Sequence, residues 1–82
     1  MQIFPNPAND VLHVELRGYS GKVTLQLRDM AGKALLEKKL DVQTSDVAET
    51  QLNTGTFASG VYLLTAINEN GNMRTEKVLV AH

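Results

Sequence analysis

The chain has 82 residues, of which 43% are hydrophobic and 21% are charged, and its formal net charge is −1. This composition is typical of one small folded domain and lies far from the low-hydropathy, high-charge pattern of disordered chains. The weak net charge argues against a nucleic-acid partner, and the absence of cysteine excludes disulfides, thiolate metal sites and thiol nucleophiles.

The first residues, 1–10, carry neither a basic segment nor an apolar core, so they do not form a secretory signal peptide. If the protein is exported, its signal peptide is expected upstream of this sequence. No apolar stretch approaches the ~20 residues of a membrane-spanning helix, so we expect no direct insertion into a membrane. Pro5-Asn6-Pro7 stiffens the chain, because each proline fixes its own φ and lacks an N–H donor. We therefore interpret residues 1–10 as a linker that carries an entry motif.

Alternating apolar and polar residues predict strands over 11–16 and 23–28, and the second is the clearest in the chain. Residues 34–40 are predicted to return as a strand, although their composition also suits a short helix. A short strand is expected over 49–52, after an uncertain polar segment over 41–48. Residues 61–67 are apolar on both parities, which indicates a central strand. Residues 73–80 are predicted to pair back against it.

Turn-forming residues separate these strands. Residues 18–21 are predicted to turn, and residues 29–33 to form a hairpin loop in which Asp29 accepts backbone N–H groups and Gly32 takes a positive φ. Residues 53–60 are expected to be mostly loop. Asn70-Gly71 predicts a type I′ turn, which requires a positive φ at both residues. Six or seven short strands with regular turn signals predict an all-β, antiparallel sandwich.

Catalytic chemistry finds little support in the sequence. The only histidines are His13, within a predicted strand, and His82. Ser59 beside Gly60 has no identifiable base, so a loop-forming role is favoured over a nucleophile. A small hydrolase is therefore the weakest of the functions considered, and we expect the chain not to be an enzyme.

Metal and nucleic-acid sites are also disfavoured. Asp41, Asp46 and Glu49 could in principle gather around calcium, but their spacing matches no EF-hand loop, and solvated charges are the better interpretation. Lys38 and Lys39 form too short a basic run for a nucleic-acid patch. We expect no cofactor.

The four aromatic residues are Phe4, Tyr19, Phe57 and Tyr62, and this scarcity weakens a carbohydrate-binding interpretation. Phe57 and Tyr62 are expected in the core. Tyr62 is also a candidate for a tyrosine corner, in which the hydroxyl bonds to the backbone.

Four motifs occur in order: Ile3-Phe4-Pro5-Asn6-Pro7-Ala8-Asn9-Asp10, Asp29-Met30-Ala31-Gly32-Lys33, Ser59-Gly60-Val61-Tyr62 and Glu76-Lys77-Val78-Leu79-Val80. Each is weak alone, but their order and spacing are specific. Through them the chain resembles, almost end to end, the type A C-terminal sorting domain of the type IX secretion system, also called the Por secretion system.

The resemblance implies an immunoglobulin-like β-sandwich of about seven short strands, occupying residues 1–82 at the C-terminal end of a larger secreted protein from a Gram-negative bacterium. In this family a signal peptide takes the precursor to the periplasm, and the outer-membrane translocon recognises the folded domain. A sortase-like peptidase then commonly removes it, here at a point expected near or before Met1. The upstream cargo reaches the cell surface or the medium.

The resemblance assigns the sorting motif to positions spread over the whole chain. They are Pro5, Asn6, Pro7, Asp29, Gly32, Lys33, Gly60, Tyr62, Lys77, Val78, Leu79 and Val80. We hypothesise that residues 73–80 form an edge or near-edge strand that docks into the translocon by strand addition, so that replacing Val78 and Leu79 with Asp abolishes export. The alternative function is an adhesive or carbohydrate-binding β-sandwich module of a secreted protein.

Overall fold

The computed structural model describes residues 1–42 and 47–82, which form seven strands. The strands are β1 (Gln2–Phe4), β2 (Val11–Arg17), β3 (Gly21–Asp29), β4 (Ala34–Val42), β5 (Val47–Asn53), β6 (Gly60–Asn68) and β7 (Met73–Val80). Within these described ranges there is no helix of the length and hydropathy needed to cross a membrane.

The strands form two antiparallel sheets, one of three strands in the order β1-β2-β5 and one of four in the order β4-β3-β6-β7. The predicted all-β antiparallel sandwich is confirmed. β2 pairs with β5 in one sheet while β3 pairs with β6 in the other, the arrangement typical of immunoglobulin-like sandwiches. β6 is central in its sheet, as its apolar residues on both parities predicted, and β7 is an edge strand.

Among the described residues, a buried cluster lies between the sheets and consists of inward-facing strand residues with Ala8. Its members are Ala8, Leu12, Val14, Leu16, Val23, Leu25, Leu27, Val42, Leu52, Tyr62, Leu64, Ala66, Val78 and Val80. Full burial of one such Val or Leu side chain is worth roughly 1.5–3 kcal/mol. A one-residue slip of any strand would turn its apolar side chains to solvent, so this cluster determines the strand register.

The six predicted strands are all present, several with longer bounds. The helical alternative for residues 34–40 is wrong, because this segment pairs with β3 as β4. Within the uncertain segment 41–48, β4 extends to Val42 and β5 begins at Val47, while residues 43–46 lie outside the described residues. β1 was not predicted, since a three-residue strand is too short to display an alternating pattern.

The predicted hairpin between β3 and β4 is confirmed. Asp29 Oδ1 accepts the backbone N–H groups of Ala31 and Lys33 at 3.0 and 2.9 Å, and Gly32 adopts a φ of +90°. The Gly32 N–H also donates to the Asp29 carbonyl at 3.0 Å. The Asp29 side chain thus holds the whole turn.

The type I′ turn predicted at Asn70-Gly71 is wrong. Only Gly71 has a positive φ, +84°, and the loop between β6 and β7 is longer than two residues. Asn68 Oδ1 accepts the N–H groups of Asn70 and Asn72 at 3.0 and 2.9 Å. These bonds stabilise a turn with one left-handed residue, which replaces the shorter turn that needs two.

Candidate functional site

Three of the four sequence motifs meet in one row across the four-stranded sheet. Asp29 at the end of β3 pairs with Tyr62 near the start of β6, and Tyr62 pairs with Val78 in β7. The neighbouring pair, Gly60 and Val80, lies one step further out. We call this end of the sheet, defined by the row Asp29, Tyr62 and Val78, the motif end.

The fourth motif reaches the motif end through the side chain of Asn6. Its Nδ2 donates to the carbonyl of Lys77 at 3.3 Å, and its Oδ1 accepts the N–H of Leu79 at 3.0 Å. An amide side chain has one donor side and one acceptor side, like a peptide unit. Asn6 therefore takes the place of a strand residue opposite Val78, although it belongs to no strand.

Ala8 continues the same contact with its backbone. Its N–H donates to the Leu79 carbonyl at 2.7 Å, and its carbonyl accepts the Ala81 N–H at 2.8 Å, which makes a parallel bridge to Val80. The Ala8 side chain is fully buried in the core. The peptide bonds before Pro5 and Pro7 are both cis. Asn6 and Ala8 together cover the outer edge of β7 from Lys77 to Val80, and Ala8 also binds Ala81 just beyond it.

Tyr62 anchors the loop that leads into β6. Its hydroxyl donates to the Ala58 carbonyl at 2.6 Å, and its ring packs against Phe57 with the centroids 5.7 Å apart. The predicted tyrosine corner is thereby confirmed, as is the expectation that both rings pack with the core. The bond keeps the start of β6 in place beside Val78 and Val80.

His82 lies against the same loop. Its ring nitrogens contact Asn9 Oδ1 at 2.9 Å and the Phe57 carbonyl at 2.7 Å, while its backbone N–H donates to Ser59 Oγ at 3.1 Å. The fold thus brings Ser59 and His82 together, but as a hydrogen-bonded loop closure. The hydroxyl oxygen of Ser59 accepts a backbone N–H, and both imidazole nitrogens contact other partners.

The family relationship follows from the arrangement of these motifs along the whole chain. A family model described as the secretion system C-terminal sorting domain matches residues 2–81. The chain belongs to this family. As a sorting domain, it is a C-terminal signal for type IX secretion, and export to the cell surface or extracellular space is implied by that role. Domains of this kind are typically non-enzymatic signals that interact with the type IX system. No curated protein and no solved structure was found to match the chain.

The residues of the sorting motif fall into two groups by exposure. Tyr62, Val78 and Val80 are buried in the core, and Asp29 is half-buried at the turn it stabilises. The exposed members are Pro5, Asn6, Pro7, Gly32, Lys33, Gly60, Lys77 and Leu79. The first group builds the motif end, and the second group is accessible to a partner.

Two residues that hold the sorting domain together were not predicted from the sequence. Ala8 is one small apolar residue after a proline, which forms no periodic pattern. Asn68 stands three residues before Gly71, the same spacing that separates Asp29 from Gly32. This repeated spacing, Asp or Asn followed three positions later by Gly (Asx-x-x-Gly), would have predicted the second hairpin.

Of the three acidic residues considered for calcium, the structure describes Asp41 and Glu49. In the described parts of the chain, no group of three or more His, Cys, Asp or Glu side chains could hold a metal ion. Asp41 lies exposed in β4 and Glu49 exposed in β5, and Asp46 lies outside the described residues. Lys38 Nζ donates to the Gln51 carbonyl at 3.1 Å.

The outer face of the three-stranded sheet holds one further feature. Phe4, 46% exposed, stacks on His13 with the ring centroids 5.3 Å apart and the planes 12° from parallel. A depression of ≈ 420 Å³ beside these rings is also lined by Lys38, Glu49 and Gln51. His13 thus lies half-buried on the outer face, between the inward-facing Leu12 and Val14.

Proposed function

We propose that this sorting domain is the C-terminal domain of a longer exported precursor and directs the upstream cargo through the outer membrane as a folded unit. A signal peptide upstream brings the precursor to the periplasm. The type IX translocon in the outer membrane then recognises the folded domain. A sortase-like peptidase removes the domain during or after passage, and the cargo remains at the surface or in the medium.

The convergence of four distant motifs at the motif end is the observation that carries this proposal. Residues near positions 6, 29, 62 and 78 contact one another or share a row of the sheet. None of these contacts builds a catalytic or metal site. Their common effect is to fix the last strand against the core, which suits a signal that must be presented in one fixed shape.

A substitution in β7 can reduce export either by unfolding the domain or by changing its surface. Val78 is fully buried, whereas Leu79 is 40% exposed. Replacing both with Asp therefore combines loss of the core with a change of the surface. Deleting residues 77–82 also mixes these two effects, because it removes Val78 and Val80 from the core. The two residues must be tested one at a time.

The sorting role is tested by fusing a signal peptide and a fluorescent reporter upstream of these 82 residues. The host is a bacterium with the type IX machinery, and the readout is reporter at the surface and in the medium. We expect export of the wild-type fusion and periplasmic retention of the fusion without the domain. Equal export of both fusions would contradict the proposal, as would retention of a wild-type fusion whose sorting domain is folded.

Single substitutions then separate folding from surface recognition. We expect Val78→Asp to abolish export because it unfolds the domain, as measured by loss of a cooperative melting transition. We expect Leu79→Asp to keep the fold because Leu79 is 40% exposed, so any loss of export by the folded variant reports a surface contact. Full export of the unfolded Val78→Asp variant would contradict recognition of a folded domain.

Removal by the peptidase is tested with one epitope tag in the cargo and another in a loop of the sorting domain. We expect surface and medium fractions to carry the cargo tag alone, and mass spectrometry to place the new C-terminus upstream of β1. Secreted cargo that retains both tags in a strain with an active peptidase would contradict removal.

The alternative function, a carbohydrate-binding module, is supported by the exposed Phe4 ring stacked on His13 beside polar side chains. Aromatic faces with nearby hydrogen-bonding groups are typical of sugar sites. Specific glycan binding by the purified domain, lost in Phe4→Ala and kept in Met30→Ala, would favour this function. Met30 is an exposed hydrophobic residue in the β3–β4 loop and serves as the matched control.

A further inference from the structure

The edge of β7 is closed over only half of its length. Backbone groups of alternate residues in an edge strand point away from the sheet. The Leu79 N–H and the Lys77 and Leu79 carbonyls point away from β6, as their bonds to Asn6 and Ala8 show. By the same period, the N–H and carbonyl of Thr75 and the N–H of Lys77 point away from β6 too. No partner for these three groups is found within residues 1–42 and 47–82.

The other long edge strand of this sheet differs. The pairing of β4 with β3 shifts register at a bulge between Leu27 and Arg28, and the Lys38 side chain of β4 bonds across to the backbone of β5. A bulge at a sheet edge discourages another strand from pairing. The open half of β7 has no proline, and its pairing with β6 has a regular register without a bulge. This regular edge is therefore open to pairing with a further strand.

There is also space beside the open half. Two surface depressions of ≈ 430 and ≈ 450 Å³ adjoin it, one lined by Tyr19, Met73 and Arg74 and the other by Ile3, Asn6 and Glu76. The second depression separates β7 from β1. An extended segment could run along β7 here, and Asn6 marks the point where its pairing must stop.

We propose that the open half of β7, residues 73–77, pairs with an extended segment of the type IX secretion machinery. This inference rests on the proposed function. The side chains of the open half indicate the chemistry of the partner. Arg74 and Glu76 share one face of β7 and favour an acidic and a basic residue opposite them, while Met73, 63% exposed on the other face, favours an apolar one.

The decisive variant is Thr75→Pro. It removes one outward N–H and fills its place with a ring carbon, while the inward bonds between β6 and β7 at residues 74 and 76 remain. Thr75→Val is the matched control, because both variants lose the 3.1 Å contact between the Thr65 and Thr75 hydroxyls and only the proline loses the N–H.

We expect Thr75→Pro to lower reporter export by about tenfold or more, the effect of losing one to two backbone hydrogen bonds, and Thr75→Val to export like the wild type. Melting curves of both purified variants must show a folded domain. Wild-type levels of export with a folded Thr75→Pro variant overturn the inference and leave the proposed function intact. Failure of the wild-type fusion itself overturns the proposed function.

A second measurement covers the case in which Thr75→Pro does not fold. A photo-crosslinking amino acid is placed at position 73 in the open half, or at exposed position 39 in β4 as the control, during export. We expect a crosslink from position 73 to an outer-membrane component of the type IX system, identified by mass spectrometry, and none from position 39. Equal crosslinking from both positions overturns the inference, as does a crosslink from position 73 only to a second copy of the domain.

Discussion

The two ends of the four-stranded sheet have similar hairpins but differ in whether the edge of β7 is covered. Each end carries one Asx-x-x-Gly hairpin, in which the Oδ1 of Asp29 or Asn68 accepts two backbone N–H groups and Gly32 or Gly71 takes a positive φ. At the motif end, however, the edge of β7 is closed by Asn6 and Ala8. At the opposite end, between Met73 and Lys77, it is open. Local sequence makes the turns alike, and a contact between distant segments makes the edges differ.

The four sequence motifs therefore have different roles in the fold. Asp29 and Gly32 repeat a turn that also occurs outside the motifs, so their presence is explained by turn geometry. Asn6 and Val78 have no counterpart at the opposite end. The distinctive property of the sorting domain is therefore the closure of its last strand, and substitutions at the two ends can measure it.

The largest expected difference between the ends is in burial of the last strand. Val78 and Arg74 lie on the same face of β7, but Val78 is fully buried and Arg74 is exposed. We expect Val78→Asp to lower the free energy of unfolding by about 4 kcal/mol or more, because an unpaired charge enters the core. Arg74→Asp should change it by less than about 0.5 kcal/mol. In urea denaturation, Arg74→Asp should keep a cooperative transition close to that of the wild type and Val78→Asp should show none. Similar curves for the two variants would contradict a core confined to the motif end of β7.

The next effect concerns the closure itself. Asn6→Ala removes two hydrogen bonds to β7 and should cost about 1–2 kcal/mol. Amide exchange should accelerate at Leu79, whose N–H loses its acceptor, and not at Val78. Asn70→Ala is the control, since Asn70 is an exposed loop residue and its side chain makes no hydrogen bond within the described ranges. Unchanged exchange at Leu79 in Asn6→Ala would show that the side chain does not close the edge.

The two hairpins should respond equally to loss of their glycines. A Cβ atom added at Gly32 or Gly71 meets nothing within 4 Å, so only the positive φ opposes it. We therefore expect Gly32→Ala and Gly71→Ala each to cost about 1 kcal/mol. Melting temperatures measure the stability, and reporter export measures sorting. If Gly32→Ala reduces export far more than Gly71→Ala at equal stability, then the exposed β3–β4 turn is itself recognised by the machinery.

The smallest effect concerns the tyrosine corner. Tyr62→Phe loses the bond to the Ala58 carbonyl and should cost about 1 kcal/mol or slightly less. Tyr19→Phe is the matched control near the opposite end, because the Tyr19 hydroxyl has no hydrogen-bond partner among the described residues. Thermal melts of the two variants compare them directly. A loss with Tyr19→Phe as large as with Tyr62→Phe would remove the corner as a distinct contribution.

The strands and the tyrosine corner were predictable because their signals are local. Burial of alternate residues appears in the sequence with a period of two, and the Tyr62 hydroxyl reaches a carbonyl only four residues upstream. The turn at Asn70-Gly71 was predicted wrongly because the deciding residue, Asn68, lies outside the dipeptide. β1 was missed because three residues are too few to show a period.

The sequence by itself determined the all-β class, the six longer strands, which faces they bury and, through four ordered motifs, the resemblance to the sorting family. Only the tertiary structure decided that Asn6 substitutes for a strand residue beside Val78 and that one half of β7 stays open. These contacts join residues 71 and 73 positions apart, so no local pattern encodes them. Burial of the two sheet faces holds the distant segments side by side, and the unpaired backbone groups of the edge strand bind Asn6 and Ala8 there.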